Sequence, residues 1–126
     1  MNQQDTSPFK GATWQQAASW LGDTLLQIGP SVENLCFDPN LVFTDTRAIK
    51  QHGIFIAITG ERFDGHDFIT SDLLSKVGGV VCSQAFFAQT KLKELQEKAI
   101  VVDDTIAAYG KLAGGWLKQL RSQTPI

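Results

Sequence analysis

The chain has 126 residues, 43% of them hydrophobic, with 13 acidic and 11 basic side chains for a formal charge of −2. That length supports one core and is too short for two domains of ordinary size, and the dispersed, near-neutral charge offers no footprint for nucleic acid or an anionic membrane. No window approaches the roughly 18 apolar residues of a membrane span, and with two imidazoles, His52 and His66, and no clustered ligands a metal site is not expected.

Residues 1–12 read as a polar N-terminal segment, 13–121 as the domain and 122–126 as the start of a linker. Thr13 is placed to cap a helix that begins at Trp14, with Ala17, Trp20 and Leu21 at helical spacing before Gly22 stops it. Leu25–Ile28 is a short apolar piece with strand character, and Gly29-Pro30 marks a turn. Val32 to Phe37 reads as an irregular strand ended by Asp38-Pro39-Asn40. Val42-Phe43 then runs into the polar loop Thr44-Asp45-Thr46-Arg47.

Gly53 opens the clearest strand, Ile54 to Ile58, whose unbroken apolar run predicts burial on both faces. A glycine loop, Gly60-Glu61-Arg62-Phe63-Asp64-Gly65, follows, so two polar loops are expected at the two ends of one buried strand. Asp67 to Val77 has Phe68, Ile69, Leu73, Leu74 and Val77 at helical spacing, with Gly78-Gly79 as the stop. Val80-Val81-Cys82 is the next buried strand, Ala85 to Gln96 reads as helix, and Ala99 to Val102 as strand. A long helix from Thr105 to Leu120, capped by Asp104, has Ile106, Leu112, Ala113, Trp116, Leu117 and Leu120 near one face. Gly114-Gly115 is its local misfit. Strands alternating with helices predict an α/β domain, a parallel or mixed sheet flanked by helices. Cys36 and Cys82, without Cys-x-x-Cys spacing, are expected to be buried thiols in a reducing compartment, and Trp14, Trp20 and Trp116 core side chains.

Three groups of residues bear on chemistry. Arg47 can fork onto phosphate oxygens while the Thr46 hydroxyl donates to the same group; equally, Asp45 can cap a turn and pair with Arg47. Gly60 and Gly65 permit positive φ and a sharp turn whose amides face a ring edge or phosphate, with Phe63 free to stack on a base. The other reading is a tight β-to-α connection in which Phe63 plugs the core and Asp64 caps the next helix. Asp103-Asp104 is read as capping in preference to Mg²⁺ binding or acid/base work, and His66 is not read as catalytic. Gly-x-x-x-x-Gly-Lys-(Ser/Thr), Gly-x-Gly-x-x-Gly and Gly-x-Ser-x-Gly all occur nowhere in the chain.

The order of Asp45-Thr46-Arg47, the Ile54–Ile58 strand and a glycine loop ending in Asp64-Gly65 resembles the amino-terminal domain of the Mur ligases, in which an Asp-(Ser/Thr)-Arg triplet precedes a Leu-Phe-Val-Ala strand and an Asp-Gly loop. The fuller string from Gly60 to Phe68 resembles the members that add D-alanyl-D-alanine, and the likeness spans roughly residues 42–120. It implies that Thr46 lies beside the uridine diphosphate of the substrate and that Glu61, Arg62 and Phe63 contact uracil, while Asp45 and Arg47 shape their loop. The implied substrate-binding set is Thr44, Asp45, Thr46, Arg47, Gly60, Glu61, Arg62, Phe63, Asp64 and Gly65, with no catalytic residue and no metal ligand in the chain.

The resemblance further implies UDP-N-acetylmuramoyl-tripeptide as ligand, central and C-terminal domains of the same enzyme as partners, and a place in peptidoglycan synthesis in the bacterial cytoplasm. ATP and Mg²⁺ would serve the full-length enzyme, and this chain, lacking the phosphate loop, is expected to be inactive alone, as an excised domain. The alternatives are the same domain of the sister ligase that adds the third amino acid, a ligand-sensing module like the related domain of a bifunctional protein kinase/phosphorylase, or a plain interaction domain. The chain departs from the family at His52-Gly53, where Pro-Gly is usual, and at Gly78-Gly79, where Gly-Ala is usual.

Overall fold

The apolar runs assemble into a mixed sheet in a computed structural model that describes residues 12–33 and 35–123. Among them the strands are β1 (Ala12–Thr13), β2 (Leu25–Ile28), β3 (Cys36–Phe37), β4 (Val42–Phe43), β5 (Ile54–Ile56), β6 (Gly79–Ser83) and β7 (Ala99–Val102). The helices are α1 (Trp14–Leu21), α2 (Pro30–Glu33), α3 (Ser71–Lys76), α4 (Gln84–Gln89), α5 (Glu94–Lys98) and α6 (Thr105–Gln123). Five strands form the main sheet in the order β2-β7-β6-β5-β4, and β1 pairs with β3 in a separate two-stranded ribbon. β4, β5, β6 and β7 are mutually parallel, with Val42 opposite Ile54, Phe55 opposite Val80 and Val81 opposite Ile100; β2 closes one edge antiparallel to β7.

Alternate residues of the parallel strands feed two cores. Ile54, Ile56, Val81, Ile100 and Val102 pack with Trp14, Leu21, Leu112 and Trp116 of α1 and α6. Phe55, Ala57, Val80, Cys82 and Val101 pack with Leu73, Leu74 and Leu95 of α3 and α5. Helices on both faces are why β5, lying between β4 and β6, shows no polar alternation. No helix of the described residues is long and apolar enough to cross a membrane.

The helix ends follow their caps. At α1 the Thr13 hydroxyl accepts from the Gln16 N–H (3.1 Å) and the Gln16 side chain accepts from the Thr13 N–H (2.9 Å), a reciprocal capping box, and Gly22 leaves the helix at φ +56°. At α6 the Asp104 carboxylate accepts from the N–H groups of Ile106 and Ala107. The Gly115 misfit has a packing reason: a Cβ there would run into the Trp20 indole, so the glycine lets α1 and α6 approach.

Several expectations are corrected. Val32 to Phe37 is not a strand: Pro30, suited to a first helical turn, starts α2, which buries Val32, and the strand is Cys36-Phe37 alone. The helix expected from Asp67 begins at Ser71, because Thr70 accepts from the Leu73 N–H and caps it, and Phe68 turns outward. That helix ends on an extended Val77; Gly78 serves close approach, since a Cβ there would stand 2.8 Å from the His52 carbonyl. Ala85–Gln96 is two helices, α4 capped by Ser83 and α5, with extended Thr90 ending the first.

On α6 the buried stripe is Thr105, Ala108, Leu112 and Trp116, whereas Ile106 and Leu117 are exposed. Cys82 is buried, which pushes its thiol up to about 12, but Cys36 is exposed, and both are free. His52 has φ +63° and donates its N–H to the Lys76 carbonyl, so a proline, with φ near −65° and no N–H, does not fit this backbone. Residues 1–11 of the expected N-terminal segment and 124–126 of the expected linker lie outside the described residues, and α6 continues to Gln123.

Candidate ligand cleft at the carboxyl edge of the sheet

Because β4 and β5 are parallel, the loops that follow them leave the sheet at the same edge. The two loops therefore do not sit at opposite ends of one strand, as the sequence suggested; residues 48–53 carry the chain back to start β5, and both loops meet beyond the carboxyl ends of the strands. Open α/β sheets commonly bind ligands at that edge.

In the first loop Asp45 starts a 3₁₀ turn, Thr46–Ala48, by accepting from the Arg47 N–H at 2.9 Å. The guanidinium folds back on the same carboxylate, Nε at 3.0 Å and Nη2 at 2.7 Å from Oδ2. The Arg47 side-chain bond, then its backbone N–H, hold the Asp45 carboxyl down at about 2, and the carboxylate in turn raises Arg47. This is the turn geometry of the second reading, with the guanidinium nonetheless 90% exposed. Thr46 is half-buried.

The second loop is a miniature hairpin. Thr59 bridges to Asp64, the Gly60 N–H donates to the Phe63 carbonyl at 2.8 Å, and the Gly65 N–H donates to the Ile58 carbonyl at 2.8 Å. Neither glycine uses the positive φ that its lack of a side chain permits. Gly65 is needed for close approach instead, since a Cβ would stand 2.8 Å from the Ile58 nitrogen. Asp64 caps a second 3₁₀ turn, Gly65–Phe68, accepting from the His66 N–H (2.9 Å), the His66 ring (2.6 Å) and the Thr59 hydroxyl (3.1 Å). Burial works to raise the Asp64 carboxyl, but the His66 backbone bond, the His66 ring and Thr59 outweigh it, so it is lowered.

His66 is a strut. Its buried ring accepts at Nε2 from the Ser83 N–H (2.9 Å), which leaves the proton on Nδ1 for Asp64, and it packs against Phe86 with ring centres 5.0 Å apart. The glycine loop is thereby tied to the end of β6. Phe63 does not plug the core; it stands 57% exposed.

Thr44, Asp45, Thr46 and Arg47 join Phe63 and Phe68 around a cleft of about 310 Å³. Of the second loop's expected residues, Phe63 alone lines it; Gly60, Glu61, Arg62, Asp64 and Gly65 build or flank the turn that carries Phe63. Phe68 escaped the sequence reading because helical spacing assigned it to the core, and the signal that would have found it is the competing cap at Thr70. Hydroxyls and a guanidinium suit an anion, and two phenyl rings suit a flat group. Among the described residues no three His, Cys, Asp or Glu side chains gather to hold a metal. Asp103 and Asp104 lie elsewhere, the first donating its N–H to the Thr24 carbonyl, the second capping α6.

A family model described as "Mur ligase family, catalytic domain" matches residues 40–116, more than half of the chain. UDP-N-acetylmuramoyl-tripeptide–D-alanyl-D-alanine ligases are similar: that of Bacillus subtilis is 37% identical over 79 residues, covering 63% of this chain and 16% of the relative. That of Synechocystis is 37% identical over 90 residues (68% and 18%), and that of Escherichia coli 33% over 78 (62% and 16%). The chain thus spans less than a fifth of these relatives. A crystal structure of MurF from Acinetobacter baumannii shares the fold with a TM-score of 0.62 at 22% identity, over 90% of this chain and 22% of the solved one.

Proposed function

The chain belongs to the Mur ligase family, and within it we propose that the domain docks the uridine diphosphate end of UDP-N-acetylmuramoyl-tripeptide for a ligase that adds D-alanyl-D-alanine. The observation that supports this reading is the convergence of Thr44–Arg47 with Phe63 and Phe68 on one cleft at the carboxyl edge of parallel strands. Thr46 donates its hydroxyl to the diphosphate and Arg47 offers the outer face of its guanidinium, while Asp45 keeps the turn in shape. Phe63 offers its exposed ring to uracil, and Glu61 and Arg62, which flank it on the same turn outside the cleft lining, contact the base from the rim.

The domain's share of catalysis is positioning, which lowers the entropic part of the barrier. ATP and Mg²⁺ belong to the full-length enzyme: the chain has no Gly-x-x-x-x-Gly-Lys-(Ser/Thr) loop, so its residues do not fit a nucleoside triphosphate, and alone it is inactive. The central and C-terminal domains of the same enzyme are its partners, and peptidoglycan precursor synthesis in the bacterial cytoplasm is its setting.

Titration of the ¹⁵N-labelled chain with UDP and then with UDP-N-acetylmuramoyl-tripeptide, at millimolar ligand, tests the reading. Amide shifts concentrated at residues 44–47 and 60–66, and lost in Thr46→Ala, are the expected result. No shift at saturating ligand would overturn it and leave an interaction domain.

A further inference from the structure

Two polar side chains among the described residues are buried, His66 and Thr105, each 5% exposed, and His66 is the one that can change charge near neutral pH. Its ring is gripped from three elements. Nδ1 lies 2.6 Å from Asp64 Oδ1 on its own turn, Nε2 accepts from the Ser83 N–H at 2.9 Å, and Phe86 of α4 packs against it with ring centres 5.0 Å apart. Ser83 is itself a junction: it ends β6, and its hydroxyl accepts from the Phe86 N–H at 3.2 Å to cap α4. The glycine turn's other hydrogen bonds, Gly60 to Phe63, Gly65 to Ile58 and Thr59 to Asp64, close on its own segment. The imidazole is what joins that turn to β6 and α4.

We infer that His66 is a proton-operated latch: neutral, it ties the glycine turn to the β6–α4 junction, and protonated, it releases Ser83 and keeps only Asp64. A bond from the Ser83 N–H needs the lone pair of Nε2, and a proton there sets two N–H groups against each other. The same proton makes the Nδ1 bond to Asp64 charge-assisted, so the ring stays with the turn and leaves the sheet. Asp64 is the charged group that faces the ring. Burial works to raise its carboxyl, but the bonds from His66 and Thr59 outweigh it and keep it low, so it is ionised when the proton arrives. β6 and α4 carry no acidic or basic side chain; the Cys82 thiol, buried and pushed up to about 12, stays neutral, and Asp67 on the turn is exposed to solvent. Release loosens the turn that bears Phe63, so the cleft loses its shape on that side as pH falls, whatever the cleft binds.

The test is a titration of the full ¹⁵N-labelled chain from about pH 8 to about pH 5, without ligand, reading the His66 ring nitrogens, the backbone amides and their hydrogen exchange. At the upper end His66 is expected as the neutral Nδ1–H tautomer. As it gains its proton, the Ser83 amide is expected to lose about tenfold in protection, and residues 60–66 to shift with the same midpoint, while Val81 and Ile100 in the core stay in place. Asp64→Asn keeps a hydrogen-bond acceptor and removes the charge, which moves that midpoint to lower pH. His66→Gln, which cannot titrate, abolishes the step. A ring that carries its proton on Nε2 at the upper end overturns the latch, as does a Ser83 amide unchanged through the His66 titration. So do a step that survives in His66→Gln and a His66 that stays neutral until the core amides move with it.

Discussion

The molecule has two clefts of the same size, about 310 Å³ each, and their walls are of different kinds. One runs along α6 and is lined by Phe37, Val42, Tyr109, Leu112, Trp116 and Leu117, among others; the other is the loop cleft of Thr44–Arg47, Phe63 and Phe68. Along the chain they are two residues apart, at Val42 and Thr44. Yet Phe37, Leu112 and Trp116 are core side chains, no more than 7% exposed, while Tyr109 and Leu117 beside them are exposed, so the first groove is the outer edge of a packing seam. In the loop cleft Arg47, Phe63 and Phe68 are exposed and belong to neither core cluster. Volume alone does not mark a site. What distinguishes this one is the hydroxyls of Thr44 and Thr46 and the Arg47 guanidinium gathered beside two exposed rings where parallel strands end, whereas the α6 groove is lined almost wholly by apolar side chains.

Substitutions can break that contrast. The largest effect is expected on the seam: Leu112→Ala should cost about 2–5 kcal/mol by denaturant unfolding, as buried leucines do, while leaving any UDP-induced shifts of the native chain in place. If Leu112→Ala instead abolished those shifts at full folding, the seam and the cleft would be one functional unit. Next is Gly65→Ala, where the new Cβ meets Ile58 backbone that has little room to give. A loss of about 1–3 kcal/mol is expected, with weakened nucleotide binding because the turn bearing Phe63 must shift. An unchanged midpoint and unchanged amide spectrum would remove close approach as the reason for that glycine.

The smallest effect is at the Asp45–Arg47 pair, whose exposed charges are screened by solvent. Arg47→Ala should leave the unfolding midpoint unmoved within error while returning the Asp45 titration from about 2 towards the ordinary 3.8, read by carboxyl carbon shifts. The sign follows from a depressed carboxylate: the pair's small contribution is present above about pH 4 and is lost as pH falls towards 2. An Asp45 midpoint that stayed near 2 without Arg47 would mean the backbone cap alone holds it.

The strands and most helix ends were legible because local chemistry decided them. The unbroken apolar runs at Ile54–Ile56 and Ala99–Val102 became parallel strands, and Thr13, Gly22 and Asp104 marked helix ends through hydrogen bonds their own side chains or backbones make. Where two local signals competed, periodicity misled. Phe68 and Ile69 kept helical spacing with Leu73, but the Asp64 and Thr70 caps divided the segment, burying Ile69 and turning Phe68 to solvent. Of the candidate site, the Thr44–Arg47 loop was legible from residue type, and so was Phe63. Phe68 and the strut role of His66 were not, because each depends on partners such as Ser83, seventeen positions from His66.

From its sequence alone this chain was an α/β domain resembling the Mur ligases, with two polar loops around one buried strand, since periodicity, caps and turn residues act over a few positions. Only the tertiary structure decided that the loops share an edge. Parallel pairing of Val42–Phe43 with Ile54–Phe55 is a contact between segments a dozen residues apart, and it brings Thr44–Arg47 against Phe63 and Phe68.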